Sequence, residues 1–394
     1  MNRTVKLGIA ALAATIGLLA PAPVSPRPKD RPVRTSPHWE NEAVAGGGYL
    51  AWQQISRGRP DRADVFLRKP SGRVVKVNRA GTHGGLGGID DGTLVYQEWR
   101  GETRPFARGS FSRIVLYDLK TGRRTVPPRV NGADWEYMQS MWGPWIFYGI
   151  FDEFGSRSVV GVDRDTGETV HPDRLVPYLQ PGQVNEGLFA WVSWEPGGGR
   201  SRVYVYEIET RGVHQLRSSR WQWAPSVGPQ GAVYVLETDR QCGSSPVVKR
   251  YARTLSGGFS AGKEVLRLPE GVDSSWSSSY ADPEGRAVVV HQRLRCGTRW
   301  GSDIYRFSDV VGLTVAKDGS GDGTVIGDGI DCGEDCSESF NGGAFVTLRA
   351  EPDLTSHFAG WSRDCAAAEE EGSCVFRVDE AQTVTATFDF GPRP

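Results

Sequence analysis

Long apolar runs are nearly absent from this 394-residue chain. Leu7 to Ala20 (LGIAALAATIGLLA) is apolar, and no second such run occurs downstream. A membrane helix needs roughly 20 apolar residues, so no helical span is expected once this segment is set aside. Methionine (3), cysteine (6) and histidine (6) are also scarce. There is no His-Glu-x-x-His and no Cys-x-x-Cys, and the histidines (His38, His83, His171, His214, His291 and His357) are scattered. That leaves no paired metal-ligand spacing, and no metal or cofactor is expected. Windows with an apolar residue every three to four positions are missing, which argues against helices. Charge of one sign does not dominate, since the formal net charge is −1. Lysine is rare, eight against 38 arginines, and the arginines are dispersed rather than gathered in an aromatic-interleaved stripe. Nucleic acid is therefore not an expected partner.

Glycine (50), proline (24) and tryptophan (13) are abundant. With frequent Val and Tyr, they favour short strands joined by tight turns, an all-β protein. At the front, the basic start MNRTVK, the apolar run and the break at Pro21, Ala22 and Pro23 read as a secretory signal over residues 1–22, cleaved near Ala20 or Ala22. Residues 23–34, rich in Pro and basic side chains, read as a flexible lead-in. The expectation is a bacterial protein, secreted or held loosely at the cell surface, monomeric and without a membrane span.

The neutral total hides an asymmetry. Residues 313–394 hold five basic and 16 acidic residues, net −11, which leaves +10 for residues 1–312. An acidic solvated face explains this, and so does docking against the basic half or recruitment of a cationic partner or Ca2+.

A unit of about 45 residues recurs. It starts at Gly48-Tyr49-Leu50-Ala51-Trp52, Gly92-Thr93-Leu94-Val95-Tyr96, Pro144-Trp145-Ile146-Phe147-Tyr148, Gly187-Leu188-Phe189-Ala190-Trp191, Gly231-Ala232-Val233-Tyr234-Val235 and Gly285-Arg286-Ala287-Val288-Val289. A second apolar strand follows in each, then often a turn such as Asp118-Leu119-Lys120-Thr121-Gly122. Four strands per unit, repeated six times, meet the requirement of a propeller. The last unit lacks a clear fourth strand, and Arg31 to Thr35 precedes the first without a partner, so the two ends can complete each other.

The turns Ile89-Asp90-Asp91-Gly92, Asn185-Glu186-Gly187, Pro229-Gln230-Gly231 and Pro283-Glu284-Gly285 carry a resemblance to the TolB-like six-bladed propeller family over about residues 40–308. It implies a propeller domain over 35–310 and leaves function open, because such scaffolds host unrelated activities.

From Leu313 the character changes. Cys332-Gly333-Glu334-Asp335-Cys336, Phe358-Ala359-Gly360-Trp361, Cys365, Cys374 and Thr383 to Phe388 together resemble the divergent internalin B-type repeat over residues 312–389, leaving 390–394 as a tail. That resemblance implies a small β-rich, β-grasp-like domain with local disulfides Cys332–Cys336 and Cys365–Cys374. Cys242 and Cys296 occupy matching places in units five and six and are expected to pair, two free thiols being the alternative.

Candidate chemistry is thin. Gly258-Phe259-Ser260-Ala261-Gly262 has the nucleophile-elbow pattern but precedes a strand rather than a helix. Asp318 to Gly323 opens like a calcium loop, yet Gly329 stands where a bidentate Glu is needed. Asp90 and Asp91 suit a turn better than acid–base work. Trp135, Trp221, Trp223 and Trp276 precede strands near the inter-blade connections, where they either pack or line a ligand face. The reading is a non-enzymatic binding protein with a protein or glycan partner; the alternative is a hydrolase or lyase acting on a glycan or lactone in the channel.

Overall fold

The structure, a computed structural model, describes residues 30–35, 38–56, 59–100, 111–130, 135–151, 157–174, 180–195, 199–239, 246–273, 277–296, 302–362, 365–367 and 372–391. The signal expected over 1–22 lies outside them, as do Cys242, Trp276 and the side chain of Trp135.

Eight antiparallel or mixed sheets account for the described chain, six built from residues 31–308 and two from 310–390. Within the first five the chain runs as a meander, so that each sheet is made from one sequence unit, and the sixth joins strands of residues 272–308 to Arg31–Arg34. Sheet 1, for example, runs Trp39–Gly46, Tyr49–Ser56, Arg59–Arg68 and Val74–Lys76 in spatial order. The turns explain why the units fold this way. Asp91 (φ 38°) and Gly92 (φ 69°) are both left-handed, as are Glu186 (φ 49°) and Gly187 (φ 71°). Two consecutive positive φ values define the tight hairpin turn whose twist matches that of its strands. Farther out, the Asp118 carboxylate accepts the Thr121 amide (2.6 Å), and Asp163 accepts the amides of Asp165 and Thr166 (both 2.9 Å).

The first strands of the six sheets are Trp39–Gly46, His83–Asp90, Trp135–Trp142, Gln180–Asn185, Trp221–Val227 and Ser277–Ala281. Each lies against the next, and the sixth lies against the first, which makes a closed ring of inner strands around an axis. This is a propeller. Its core is not one centre but a layer between each pair of neighbouring sheets. Val44 and Leu67 of sheet 1 pack with Leu86 and Tyr96 of sheet 2, and Phe147 stacks on Phe189 between sheets 3 and 4 with centroids 4.4 Å apart. Ala43 and Trp52 meet Val290 and Ile304 where the ring closes. Each such fully buried apolar side chain contributes about 1.5–3 kcal/mol. Polar clasps accompany the layers: Gln53 Nε2 donates to Gly84 O (3.1 Å), the Val184 amide to Ser140 Oγ (3.1 Å), and Gln292 Nε2 to Glu40 O (3.1 Å).

Ring closure revises the lead-in. Arg31–Arg34 is a strand paired antiparallel with Ser302–Ser308, Arg31 opposite Arg306. Asp30, with a nearly buried carboxylate, pairs with His291 Nε2 (3.0 Å) and Arg293. The strand satisfies a sheet edge that would otherwise stay open, so a flexible segment cannot extend to residue 34.

Ser308 ends the ring and Val310 begins the tail domain, which moves the junction from 310–312 to Asp309. The tail domain has two sheets. In one, Val310–Asp318 runs parallel to Gln382–Phe390 with Ser337–Asn341 and Ser356–Trp361 at the edges; the other is centred on Ala344–Pro352. In Ala344–Pro352 buried and exposed residues alternate, sending Val346 and Leu348 inward to meet Val384 and Phe388. The bonds Cys332–Cys336 and Cys365–Cys374 are formed. Cys296 is also disulfide-bonded, while Cys242, the partner expected for it, is outside the described residues. Sequence separations of 4 and 9 close short loops. Replacing Cys365 and Cys374 by alanine is expected to cost about 2–3 kcal/mol through loop entropy, read as a lower urea midpoint. An unchanged midpoint would count against that role.

Candidate functional site

Where the inner strands turn back into the second strands, the ring leaves a cavity of about 470 Å³. Every unit contributes to its wall: Ala45, Asp90, Ser140, Gln183 and Ser279 lie in the inner strands of sheets 1, 2, 3, 4 and 6, and Pro229 lies in the turn after the inner strand of sheet 5. The hairpin turns put Asp91 and Glu186 at its rim, both exposed. Among the described lining residues these two and Asp90 carry charge, all acidic. Asp90 Oδ2 accepts the amide of Gly143 (2.7 Å) and so ties sheet 2 to sheet 3. Asn185 Nδ2 donates to Val227 O (3.0 Å), tying sheet 4 to sheet 5. On the wall opposite, Ser226 and Ser279 share a hydrogen bond (2.6 Å). The cavity thus combines hydroxyl, amide and carboxylate groups in a wall held by cross-sheet bonds.

Glu42 lies three residues along the same inner strand from Ala45. A register shift between Asn41 and Ala43 leaves it in a β-bulge, with φ 47°. Comparable shifts recur in the inner strands of sheets 2 to 5, and in the fifth Ala224 has a matching φ of 46°. Burial pushes the Glu42 carboxyl up to about 8, against a weaker opposing pull from a hydrogen bond with the Leu86 backbone of the next sheet. Part of the side chain still meets solvent. A left-handed non-glycine residue with a neutralised carboxyl beside the axis is the sort of strained, shifted group that marks functional sites. No motif or spacing pointed to it. Simple alternation puts Glu40 and Glu42 on one face, whereas Glu40 is fully buried against Arg34 (3.0 Å) and the bulge sets Glu42 apart.

The expected aromatic face is divided. Trp221 and Trp223 come together and are joined by Trp194, at the opposite end of the sheets from the cavity. Trp135 opens its strand at that same end. None of the histidines is among the lining residues of the cavity; His291 pairs with Asp30 and His357 Nδ1 contacts Gly391 O (3.0 Å). Ser260 accepts the Ala252 amide (3.1 Å) and donates to Ala261 O (3.1 Å) in a loop between strands. Asp322 pairs with Lys317 Nζ (2.8 Å) in the glycine-rich hairpin. Among the described residues no group of three or more His, Cys, Asp or Glu is placed to hold a metal ion.

The tail domain docks on the cavity end of sheets 5 and 6. Asn341 Oδ1 accepts the Ala287 amide (2.6 Å) and its Nδ2 donates to Gly285 O (2.9 Å). Lys263 pairs with Glu380 (2.7 Å). Arg250 of sheet 5, 1% exposed, holds Asp309 (2.7 Å) and Asp379 (3.0 Å) at once. Docking therefore uses part of the acidic character noted in the sequence, through Asp379 and Glu380.

The divergent InlB B-repeat domain family matches residues 313–391. No curated protein matches the chain. Among solved structures, TolB from Acinetobacter baumannii is 16% identical over 54% of this chain and 51% of its own, with a TM-score of 0.40, so the chain spans about half the length of that protein. The calcium-binding protein regucalcin from Agrobacterium tumefaciens is 12% identical over 70% of this chain and 94% of its own, TM-score 0.43. An oligogalacturonate lyase in complex with manganese is 12% identical over 66% and 86%, TM-score 0.41. These are likenesses of shape, and the propeller itself is read from the closed ring of inner strands.

Proposed function

We propose that this chain is an exported, non-enzymatic binding protein, its six ring sheets serving as propeller blades that offer the acidic cavity mouth to a polar ligand. The observation that carries this reading is the cavity wall, which is lined from all six units and carries carboxylate, hydroxyl and amide groups of sheets 2, 3, 4 and 6, several of them fixed by cross-sheet hydrogen bonds. Preformed pockets with a few convergent polar groups are the usual form of ligand sites. The docked repeat domain, with 16 acidic and four basic residues over 313–391, adds negative potential beside the mouth. Such a field favours neutral or cationic ligands over anions. Disulfides and a bacterial repeat domain fit an extracellular or periplasmic location.

The test is a thermal-shift screen of the protein against amino acids, polyamines, peptidoglycan fragments and neutral oligosaccharides. A ligand at 100 times its Kd stabilises the folded state by about 2.7 kcal/mol. The stabilisation is expected to fall when Asp91 and Glu186 are replaced by lysine. A hit that ignores both substitutions, or silence across the panel, would sink the mouth as the site.

Glu42 favours one second reading, an enzyme acting on a glycan or lactone in the channel with that carboxyl as a general acid. Turnover of such a substrate, lost in Glu42→Gln, would establish it.

A further inference from the structure

We propose a second binding site, for a neutral saccharide, at the end of the propeller remote from the cavity, where Trp194, Trp221 and Trp223 meet. Trp194 ends the second strand of sheet 4 and Trp221 begins the inner strand of sheet 5, so the group bridges two sheets. The Trp194 ring stands at 88° to Trp221 and 78° to Trp223, with centroids 5.7 and 5.1 Å away, while Trp221 and Trp223 are tilted by only 35°. The three indoles therefore form a corner of two walls. All three are partly exposed.

Packing explains one of them. Trp223 lies against core residues of sheets 4, 5 and 6. Trp194 and Trp221 belong to none of the apolar clusters formed by the described residues of those sheets. Two large indoles thus stand at a strand end, outside the apolar clusters of the described residues and partly open to solvent. Their faces carry negative quadrupolar charge and attract the weakly positive C–H bonds of a pyranose ring.

Polar groups border the corner. Glu195, next to Trp194, is held by Arg202 (2.8 Å) and is 41% exposed. Asp239, next to the Thr238 that pairs with Trp221, is held by Arg220 (3.0 Å) and is 64% exposed. Arg202 also donates to the Arg220 carbonyl (2.9 Å), which links the two pairs. A carboxylate fixed by a guanidinium offers planar acceptors and donors side by side, suited to adjacent sugar hydroxyls. Each pair is neutral overall, so the site selects an uncharged ligand rather than an ion. This face is distinct from the acidic mouth, and the inference stands whether or not the mouth binds anything.

The experiment is isothermal titration calorimetry of the protein with cellohexaose, xylohexaose and chitohexaose. Saturable binding of at least one sugar is expected. Trp194→Ala and Trp221→Ala should each weaken it about ten-fold, and Asp239→Asn should weaken it with the thermal midpoint unchanged. Asp322→Asn, in the tail domain, should leave it as it was. If an alanine variant fails to fold, Trp221→Phe with Asp239→Asn reads the same contacts. The proposal is overturned if none of the three sugars gives saturable heat, or if binding persists undiminished in the variants.

Discussion

Replacing Arg250 by alanine is expected to lower the unfolding free energy by about 3–5 kcal/mol, the usual consequence of leaving a buried partner charge uncompensated. Arg250 is 1% exposed and Asp309 4%, and the guanidinium reaches both Asp309 oxygens, at 2.7 and 2.9 Å. Asp309 also accepts the Tyr234 hydroxyl (2.9 Å), and burial together with that carboxylate holds Tyr234 well above its usual titration range. The same arginine donates to Asp379 Oδ1 and to its carbonyl (2.9 Å). One cation thus fixes the junction residue and the tail domain together. Urea denaturation of Arg250→Ala should show a lower midpoint, and Arg250→Met with Asp309→Leu should recover much of the loss, because an apolar replacement removes both buried charges. Equal loss in the single and double variants would refute the charge argument and leave a packing one.

Sterics give an independent check on the same clamp. A Cβ at Gly342 would lie 1.8 Å from Arg250 Nη1 and 2.7 Å from Asp309 Oδ1. Acid should loosen the clamp as well. Burial raises the Asp379 carboxyl, but hydrogen bonds and charge from Arg377 and Arg250 outweigh it and hold the group below its usual value. A depressed folded value means stability that is present above the unfolded value, about 3.9, and lost as pH falls below it.

The second large effect concerns pH and runs the opposite way. Glu42 titrates at about 8 in the folded chain, against an ordinary value near 4.5. The folded state therefore holds a proton that the unfolded state has released between those values, so stability falls as pH rises from 4.5 to 8 and levels off above. Each unit is worth about 1.4 kcal/mol at most, and water reaching the side chain reduces this, so a decline of about 2–4 kcal/mol is expected. Glu42→Gln should flatten that dependence and be the more stable protein at pH 8. Glu42→Gly should go further, since it also relieves the left-handed strain, worth roughly 1 kcal/mol. Chemical denaturation at pH 5, 6.5 and 8 measures both. Parallel pH curves for the parent and Glu42→Gln would show that Glu42 does not set the dependence.

Particular residues show why some of this was legible in advance. Asp91-Gly92 and Glu186-Gly187 fix hairpins by local backbone preference, so the repeat and its all-β character could be read from the chain alone. The pairs Cys332–Cys336 and Cys365–Cys374 followed from a family resemblance whose motif is itself local. Glu42 was invisible, because a bulge depends on how two strands come into register rather than on either sequence. Trp194 was missed for a related reason. It stands 27 residues before Trp221, and only the packing of sheet 5 against sheet 4 brings their rings together.

The sequence by itself determined where strands begin and end, which turns could close them, and the change of character after residue 312. These are short-range matters, set by side-chain alternation and by which residues tolerate positive φ. The tertiary structure alone decided that the ring leaves an acidic mouth, that a bulge sets Glu42 apart, and that Arg250 binds the tail domain beside that mouth. Those outcomes turn on contacts between distant segments, whose energies depend on burial and on the company each charge keeps.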